Sequence, residues 1–144
     1  ATLQEQAKEL GIDSNVRFVG FVSGDEKADL LSSAEIMIVP SIVTDSGDAE
    51  GLPVSLMEGL ANQMLCIATR VSGADDIMTD GIDGLLVEQR DPEALAEALE
   101  KLLLVSQREK TAMKKNAKKL AKELDWSLIA ERHLDLFKKS IATK

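Results

Sequence analysis

The segment EIMIVPSIVTDSGDAEGLPVSLMEGLANQMLCIAT, residues 35–69, decides the fold class of this 144-residue chain. It begins with an apolar run over 35–40 that stops at a proline, which is typical of a strand covered on both faces. A polar loop over 41–49 follows, then a helix from about Pro53, then a second apolar run over 64–69. Strand, helix and strand in this order predict two parallel strands joined by a right-handed crossover.

The same alternation continues on both sides of that segment. Further strands are predicted at 16–20 and 84–88, and further helices at about 2–10, 25–34, 74–79, 92–104, 108–122 and 127–140. Strands separated by helices predict an α/β fold, with a parallel sheet and helices on both faces. The strand over 16–20 either pairs directly with the strand over 35–40, which gives a four-stranded sheet, or finds partner strands in another chain. We expect residues 1–144 to form a single domain, and ligands to bind beyond the carboxyl ends of the strands.

Composition and charge exclude several classes of protein. No apolar run approaches the roughly 20 residues that span a bilayer, and no signal-peptide pattern opens the chain. The single cysteine, Cys66, lies in an apolar run and predicts a buried, inert thiol in a reducing compartment, so we expect a cytoplasmic protein.

The net charge of −8 is unevenly distributed. Residues 1–100 carry a net charge of −15, which argues against binding to nucleic acid, whereas residues 101–122 carry +7. The basic helix over 108–122 is either a solvated face or a peripheral contact with the anionic inner face of a membrane.

The loop and helix over residues 45–63 contain the candidate site. Glu50 and Glu58 flank a turn of Gly51, Leu52, Pro53 and Val54. Pro53 suits a first helical turn, where its missing N–H costs nothing, and the unpaired amides around it predict an anion site that suits phosphate. On a helical wheel the apolar arc predicts that most of this helix is buried, and it consists of Leu52, Val54, Leu56, Met57, Leu60, Ala61 and Met64. The remaining strip holds Ser55, Glu58, Gly59 and Asn62.

Carboxylates only accept hydrogen bonds, so Glu50 and Glu58 could hold sugar hydroxyls on either side of a diphosphate. From the spacing alone a second interpretation stays open, in which Glu50 simply favours the helix dipole and Glu58 is solvated.

The order of motifs resembles one large enzyme family. EGLPVSLMEGLA looks like the Glu-x7-Glu motif of the retaining glycosyltransferases that include glycogen synthases, and GDAEGLPVSLMEGLA is especially similar to the exopolysaccharide and colanic-acid type members. NVRFVGFVSGDEKADLLSSAEIMIVPS before the motif and GIDGLLVEQRDPEALAEALEKLL after it follow the order of the family's C-terminal, donor-binding domain. The likeness covers nearly the whole chain.

The resemblance implies a Rossmann-like domain of the GT-B type that binds a nucleotide-diphosphate sugar. It implies that Glu50 contacts the donor sugar as the catalytic residue, that Glu58 holds the ribose, and that the Gly51–Val54 backbone approaches the diphosphate. Phe21 and Val22 match the loop that lines the base. The implied reaction is glycosyl transfer with retention to a glycan or lipid-linked acceptor, and it needs no metal.

The sequence also departs from the family pattern. The family's domain begins with two further strands, and a Gly-Arg…Lys stretch in the first supplies cations to the diphosphate. This chain starts after them, so we expect a truncated domain that lacks its first strands and the acceptor-binding N-terminal domain, and that is inactive alone. No Arg or Lys among residues 28–69 offsets Asp45, Asp48 and Glu50.

Two other functions stay open. The chain could be a non-catalytic α/β binding module that keeps the fold without activity. The acidic loop with Asp45 and Asp48 is also loosely similar to a phosphoacceptor receiver domain, but the acidic pair and the late lysine of such domains are missing. The only histidine, His133, lies in the last predicted helix and is expected to be structural or solvated.

Overall fold

The computed structural model describes residues 2–71 and 73–142. The chain divides into two compact units, the first ending at Ser32 and the second beginning at Ser33. The first unit contains helix α1 (Leu3–Glu9), a 3-10 turn (Asp13–Asn15) and most of helix α2 (Gly24–Ser33). Helix α1 begins at a capping box, in which Thr2 Oγ1 accepts from the Glu5 amide and Glu5 Oε2 accepts from the Thr2 amide.

The second unit is built on a parallel sheet of three strands. They are β1 (Ile36–Val39), β2 (Leu65–Thr69) and β3 (Leu85–Val87), in the order β1-β2-β3. The helices of this unit are α3 (Val54–Ala61), α4 (Ala74–Ile77), α5 (Pro92–Leu104), α6 (Gln107–Glu123) and α7 (Trp126–Ala142). The central strand β2 is buried along its whole length, as its unbroken apolar sequence requires.

Helices cover both faces of the sheet. Helix α3 packs on one face, where Gly59 lies against Cys66 of β2 and Met37 of β1. Alternate strand residues point to the opposite face, and there Leu65 and Ile67 form a core cluster with Leu102 of α5. The predicted fold class, a parallel sheet between layers of helices, is therefore confirmed.

Helix α6 connects the helical layers at the amino ends of the strands. Its Met113 joins the core cluster, and its Asn116 Nδ2 donates to the carbonyl of Ile82 at 3.1 Å. Lys110 Nζ lies 3.8 Å from a carboxylate oxygen of Glu35, the residue before β1. The basic helix is thus attached to the domain by one face and leaves the other to solvent.

Helix α7 is exposed along most of its length and carries apolar side chains. Trp126, Phe137 and Ile141 are 79%, 64% and 76% exposed. Where the structure describes the chain, none of the helices has the length and apolar character needed to cross a membrane.

The predicted strand over 16–20 is wrong. These residues form no strand, and Val16, Phe18 and Val19 are about two-fifths exposed. A strand exists only when its backbone bonds to a neighbouring strand, and the first unit has none among the residues described. The sheet therefore has three strands rather than four. The other predicted elements form, with ends shifted by one or two residues.

Candidate functional site

The loop over residues 41–50 leaves β1 at the carboxyl edge of the sheet and is anchored there. Thr69, the last residue of β2, donates its hydroxyl to the carbonyl of Ser41 at 2.6 Å. Ser41 in turn donates its own hydroxyl to Glu50 Oε2 at 3.4 Å. The two ends of the loop therefore lie together, and Glu50 is presented beside the end of the central strand.

Between its ends the loop folds into a compact turn. The Thr44 amide donates to the carbonyl of Asp48 and the Gly47 amide to the carbonyl of Thr44, both at 2.9 Å. Ser46 Oγ donates to Asp48 Oδ2 at 2.6 Å. Gly47 has φ +85°, a left-handed conformation that glycine adopts without strain, and this permits the tight reversal. Both the carboxylate and the carbonyl of Asp48 therefore accept hydrogen bonds within the loop.

The turn between β3 and α5 reaches across to the same loop. Gln89 Oε1 accepts from the Val43 amide at 2.8 Å. Arg90 Nη2 donates to the Val43 carbonyl at 3.0 Å and to Asp45 Oδ1 at 2.8 Å. No Arg or Lys among residues 28–69 offsets the acids of this loop, and the cation that pairs with Asp45 comes instead from Arg90, in a distant turn. β1 and β3 both end at the carboxyl edge of the sheet, so the segments that follow them lie at the same edge. This shared edge is the signal from which the contact between Arg90 and the loop could have been predicted.

The turn from Gly51 into α3 presents backbone donors. Pro53 is buried at the N-cap, and its carbonyl accepts from the Leu56 and Met57 amides. The amides of Gly51, Leu52, Val54 and Ser55 have no acceptor among residues 2–71 and 73–142. Unpaired amides at the amino end of a helix attract anions, because the helix dipole adds to their partial positive charge.

Gly73 borders this turn closely. It has φ +70°, and a methyl group built on it would lie 3.4 Å from the Leu52 nitrogen and 3.5 Å from the Leu52 Cα. The segment after β2 thus lies next to the Gly51–Leu52 backbone without placing a side chain of Gly73 against it.

Glu58 lies on α3 in different surroundings from Glu50. It is half-buried and lines a groove of about 270 Å³ together with Val54 of the same helix, Ala121 of α6 and Trp126 of α7. Glu50 is not part of the lining of this groove. The roles assigned to the two glutamates by resemblance stay predictions.

The helical wheel of α3 needs correction at two places. Gly59 was placed on the polar strip, but it is buried, and a methyl group there would lie 3.0 Å from Cys66 Sγ and from Met37. Its small size lets the helix approach the sheet. Val54, assigned to the buried arc, is 61% exposed because it lies in the first turn at the open edge.

Phe21 and Val22 belong to the first unit, whereas Glu50 and Glu58 belong to the second. Phe21 is 94% exposed and Val22 is half-buried. Their assignment to the nucleotide base stays a prediction.

The remaining reactive side chains lie outside the candidate site. Cys66 is fully buried, and this burial, with a smaller effect of the Asp83 charge, raises the pKa of its thiol to about 12. His133 is exposed, and its Nδ1 lies 2.8 Å from the Ile129 carbonyl. Within the described ranges, no three His, Cys, Asp or Glu side chains are grouped to hold a metal ion.

Comparison with known proteins identifies the family. The model of the family described as Glycosyl transferases group 1 matches residues 1–120. The chain belongs to this family. The resemblance that rested on the Glu-x7-Glu segment and its neighbours is thereby confirmed at the level of the family.

Two relatives are named as biosynthesis glycosyltransferases. The amylovoran biosynthesis glycosyltransferase AmsK of Erwinia amylovora is 33% identical over 91 residues, which are 63% of this chain and 22% of that protein. The putative colanic acid biosynthesis glycosyltransferase WcaL of Salmonella typhimurium is 35% identical over 98 residues, 68% of this chain and 23% of that protein. The chain thus matches less than a quarter of the length of either relative.

A solved structure shares the fold. The crystal structure of Anabaena Alr3699/HepE in complex with UDP superposes with a TM-score of 0.78 at 18% identity, and the match covers 95% of this chain and 36% of that one. The chain has the Rossmann-like α/β fold found in GT-B type enzymes, as its sequence predicted.

Proposed function

We propose that this chain is the donor-binding part of a retaining glycosyltransferase, which transfers a sugar from a nucleotide-diphosphate sugar to a glycan or lipid-linked acceptor. The observation that carries the proposal is the row of unpaired amides from Gly51 to Ser55 at the carboxyl edge of the sheet. In a domain of this family, such a turn suits the diphosphate of the donor.

The two glutamates suit the polyol parts of the donor. Glu50 begins the turn and is presented by the anchored loop, so we assign it to the sugar hydroxyls and to the reacting end as the catalytic residue. Glu58 lies about one turn into α3, and we assign it to the ribose hydroxyls. Carboxylates suit both tasks because each oxygen accepts hydrogen bonds from hydroxyl groups.

The comparisons support this assignment from outside the chain. Crystal structures of HepE hold UDP and UDP-glucose as ligands of that protein. The names of AmsK and WcaL place those relatives in the synthesis of amylovoran and colanic acid. We therefore propose a nucleotide sugar as the donor and a growing polysaccharide or its lipid-linked precursor as the acceptor.

We propose further that transfer needs a second domain that binds the acceptor, because the matched relatives are several times longer than the matched region. On this proposal the chain alone binds the donor without turning it over. Measurable transfer by the isolated chain would contradict it.

The outer face of α6 supports a peripheral contact with an anionic membrane at the cytoplasmic side. Arg108, Lys115, Lys118, Lys119 and Lys122 are exposed, and at 100° per residue they fall within an arc of about 100°. None of the five has an ion-pair partner in the part of the chain that the structure describes. Each such side chain contributes about 1 kcal/mol near an anionic surface.

Co-sedimentation tests the membrane contact. We expect the chain to bind vesicles with one-third phosphatidylserine at low salt, and the charge-removing variant K115Q/K118Q/K122Q to bind at least tenfold more weakly. Equal binding by both would exclude α6 as the contact.

Calorimetric titration with UDP, GDP and ADP and their glucose or mannose conjugates tests the donor site. We expect one base to give binding in the presence of EDTA, and Glu58→Ala to weaken it about tenfold through the loss of charge-assisted hydrogen bonds. Glu97→Ala, an exposed glutamate on α5, is the matched control and should bind as the unmodified chain does. A folded chain that gives no heat with any ligand would favour a non-catalytic module.

A further inference from the structure

The loop that carries Glu50 is held from outside by two side chains of the β3–α5 turn. Gln89 accepts from the Val43 amide and Arg90 donates to the Val43 carbonyl, so both backbone groups of one loop residue are satisfied by neighbouring side chains. Arg90 also pairs with Asp45 two residues further on. These three contacts join segments that are 45 to 47 residues apart in the chain.

The backbone of Arg90 is itself unusual. It has φ +60°, and Gln63 is the other residue besides glycine for which the structure gives a positive φ. A positive φ is unfavourable for any residue other than glycine, because the Cβ atom is crowded by the backbone. Such a conformation persists where surrounding contacts fix it. At Arg90 those contacts are the ones to the loop. Arg90, whose backbone is strained, is therefore also one of the two residues that hold the loop. We call this pair, Gln89 and Arg90, the clamp.

The charge of Arg90 holds the loop through an ion pair. The loop carries Asp45, Asp48 and Glu50, and Asp45 is 95% exposed. Among residues 2–71 and 73–142, Arg90 is the cationic side chain that forms an ion pair with this loop. Its guanidinium is engaged by the Val43 carbonyl and by Asp45, so its charge acts on the loop.

We propose that Gln89 and Arg90 are positioning residues that set the recognition of the donor sugar. This inference rests on the proposed function. The clamp fixes the loop at Val43, and the loop delivers Glu50 to the sugar. Glu58 lies on α3, which packs directly on the sheet and does not depend on the clamp. Loss of the clamp should therefore weaken binding of the sugar part and leave binding of the nucleoside diphosphate.

Calorimetry on three variants of this chain tests the proposal. The ligands are whichever of the pairs UDP and UDP-glucose, GDP and GDP-mannose, or ADP and ADP-glucose the unmodified chain binds. Arg90→Gly removes the guanidinium and relieves the strained backbone, so it should fold. Arg90→Lys keeps a cationic donor. Gln63→Gly is the matched control, because it relieves the same kind of strain after α3, where the Gln63 amide donates to the Leu60 carbonyl and, among residues 2–71 and 73–142, makes no backbone hydrogen bond to the loop.

We expect Arg90→Gly to bind the nucleotide sugar about tenfold more weakly and the nucleoside diphosphate less than about twofold more weakly. Arg90→Lys should recover most of the lost affinity, and Gln63→Gly should bind both ligands normally. Unchanged binding of the sugar conjugate by Arg90→Gly, or an equal loss for both ligands, overturns the positioning role alone. Absence of heat for all six ligands in the unmodified chain overturns the proposed function, and this role with it.

Discussion

Gly73→Ala tests whether the Gly51–Leu52 backbone binds the donor. At φ +70° an alanine is strained by roughly 1–2 kcal/mol. Alanine also lowers the conformational entropy of the unfolded chain, and this stabilises the folded state by about 0.4–1 kcal/mol. The net loss of stability is therefore about 1 kcal/mol, or a fall in melting temperature of about 3 °C for a chain of this length.

The effect of Gly73→Ala on binding should be larger than its effect on stability. The new methyl group would stand 3.4 Å from the Leu52 nitrogen, where it competes with a phosphate oxygen that needs to approach to about 2.9 Å. Loss of one charge-assisted hydrogen bond costs about 1.5–3 kcal/mol, so affinity for the nucleoside diphosphate should fall at least tenfold.

The matched control for that variant is Gly81→Ala. Gly81 has φ +77°, and a methyl group there meets nothing within 4 Å. Both variants should lose similar stability in thermal unfolding, and only Gly73→Ala should lose binding in calorimetry. Equal affinities of Gly73→Ala and Gly81→Ala for the nucleoside diphosphate would refute the placement of the diphosphate at this turn.

Three further predictions concern the packing that supports the site. Gly59→Ala overpacks α3 against Cys66 and should lower the free energy of unfolding, measured with urea, by about 1–3 kcal/mol. The higher helix propensity of alanine offsets part of this loss. Ala61→Gly, at an exposed position of the same helix, measures that propensity difference. Thr69→Val removes the 2.6 Å bond to the Ser41 carbonyl and should cost about 1 kcal/mol, whereas Thr69→Ser should retain most of it. With a thiol pKa of about 12, Cys66 stays protonated at pH 8 and should react with a disulfide reagent only after the chain unfolds; rapid labelling of the native chain would contradict this.

The sequence predicted the elements whose signals are local. The strands around Val39 and Thr69 are apolar runs bounded by proline, glycine or polar residues, and the helix after Pro53 begins where proline fits the first turn. Such signals depend on the residues themselves and their immediate neighbours. For this reason β1 to β3 and the helices of the described residues lie within one or two residues of their predicted bounds, α3 being predicted only at its start.

The features that the sequence did not predict depend on distant partners. Residues 16–20 have the composition of a strand, but a strand forms only beside another strand. The Gln89–Arg90 clamp contacts a loop more than forty residues away in the sequence, and no local pattern predicts it. Gly59 was placed on the polar strip because a helical wheel does not show how closely the sheet approaches.

Nuclear magnetic resonance of the 15N-labelled chain tests the central claim most directly. Titration with the nucleoside diphosphate that binds should shift the amide signals of Gly51, Leu52, Val54 and Ser55 more than any others, because these donors gain phosphate acceptors. Signals that stay unmoved at this turn while binding saturates, or that shift chiefly elsewhere, would contradict the account.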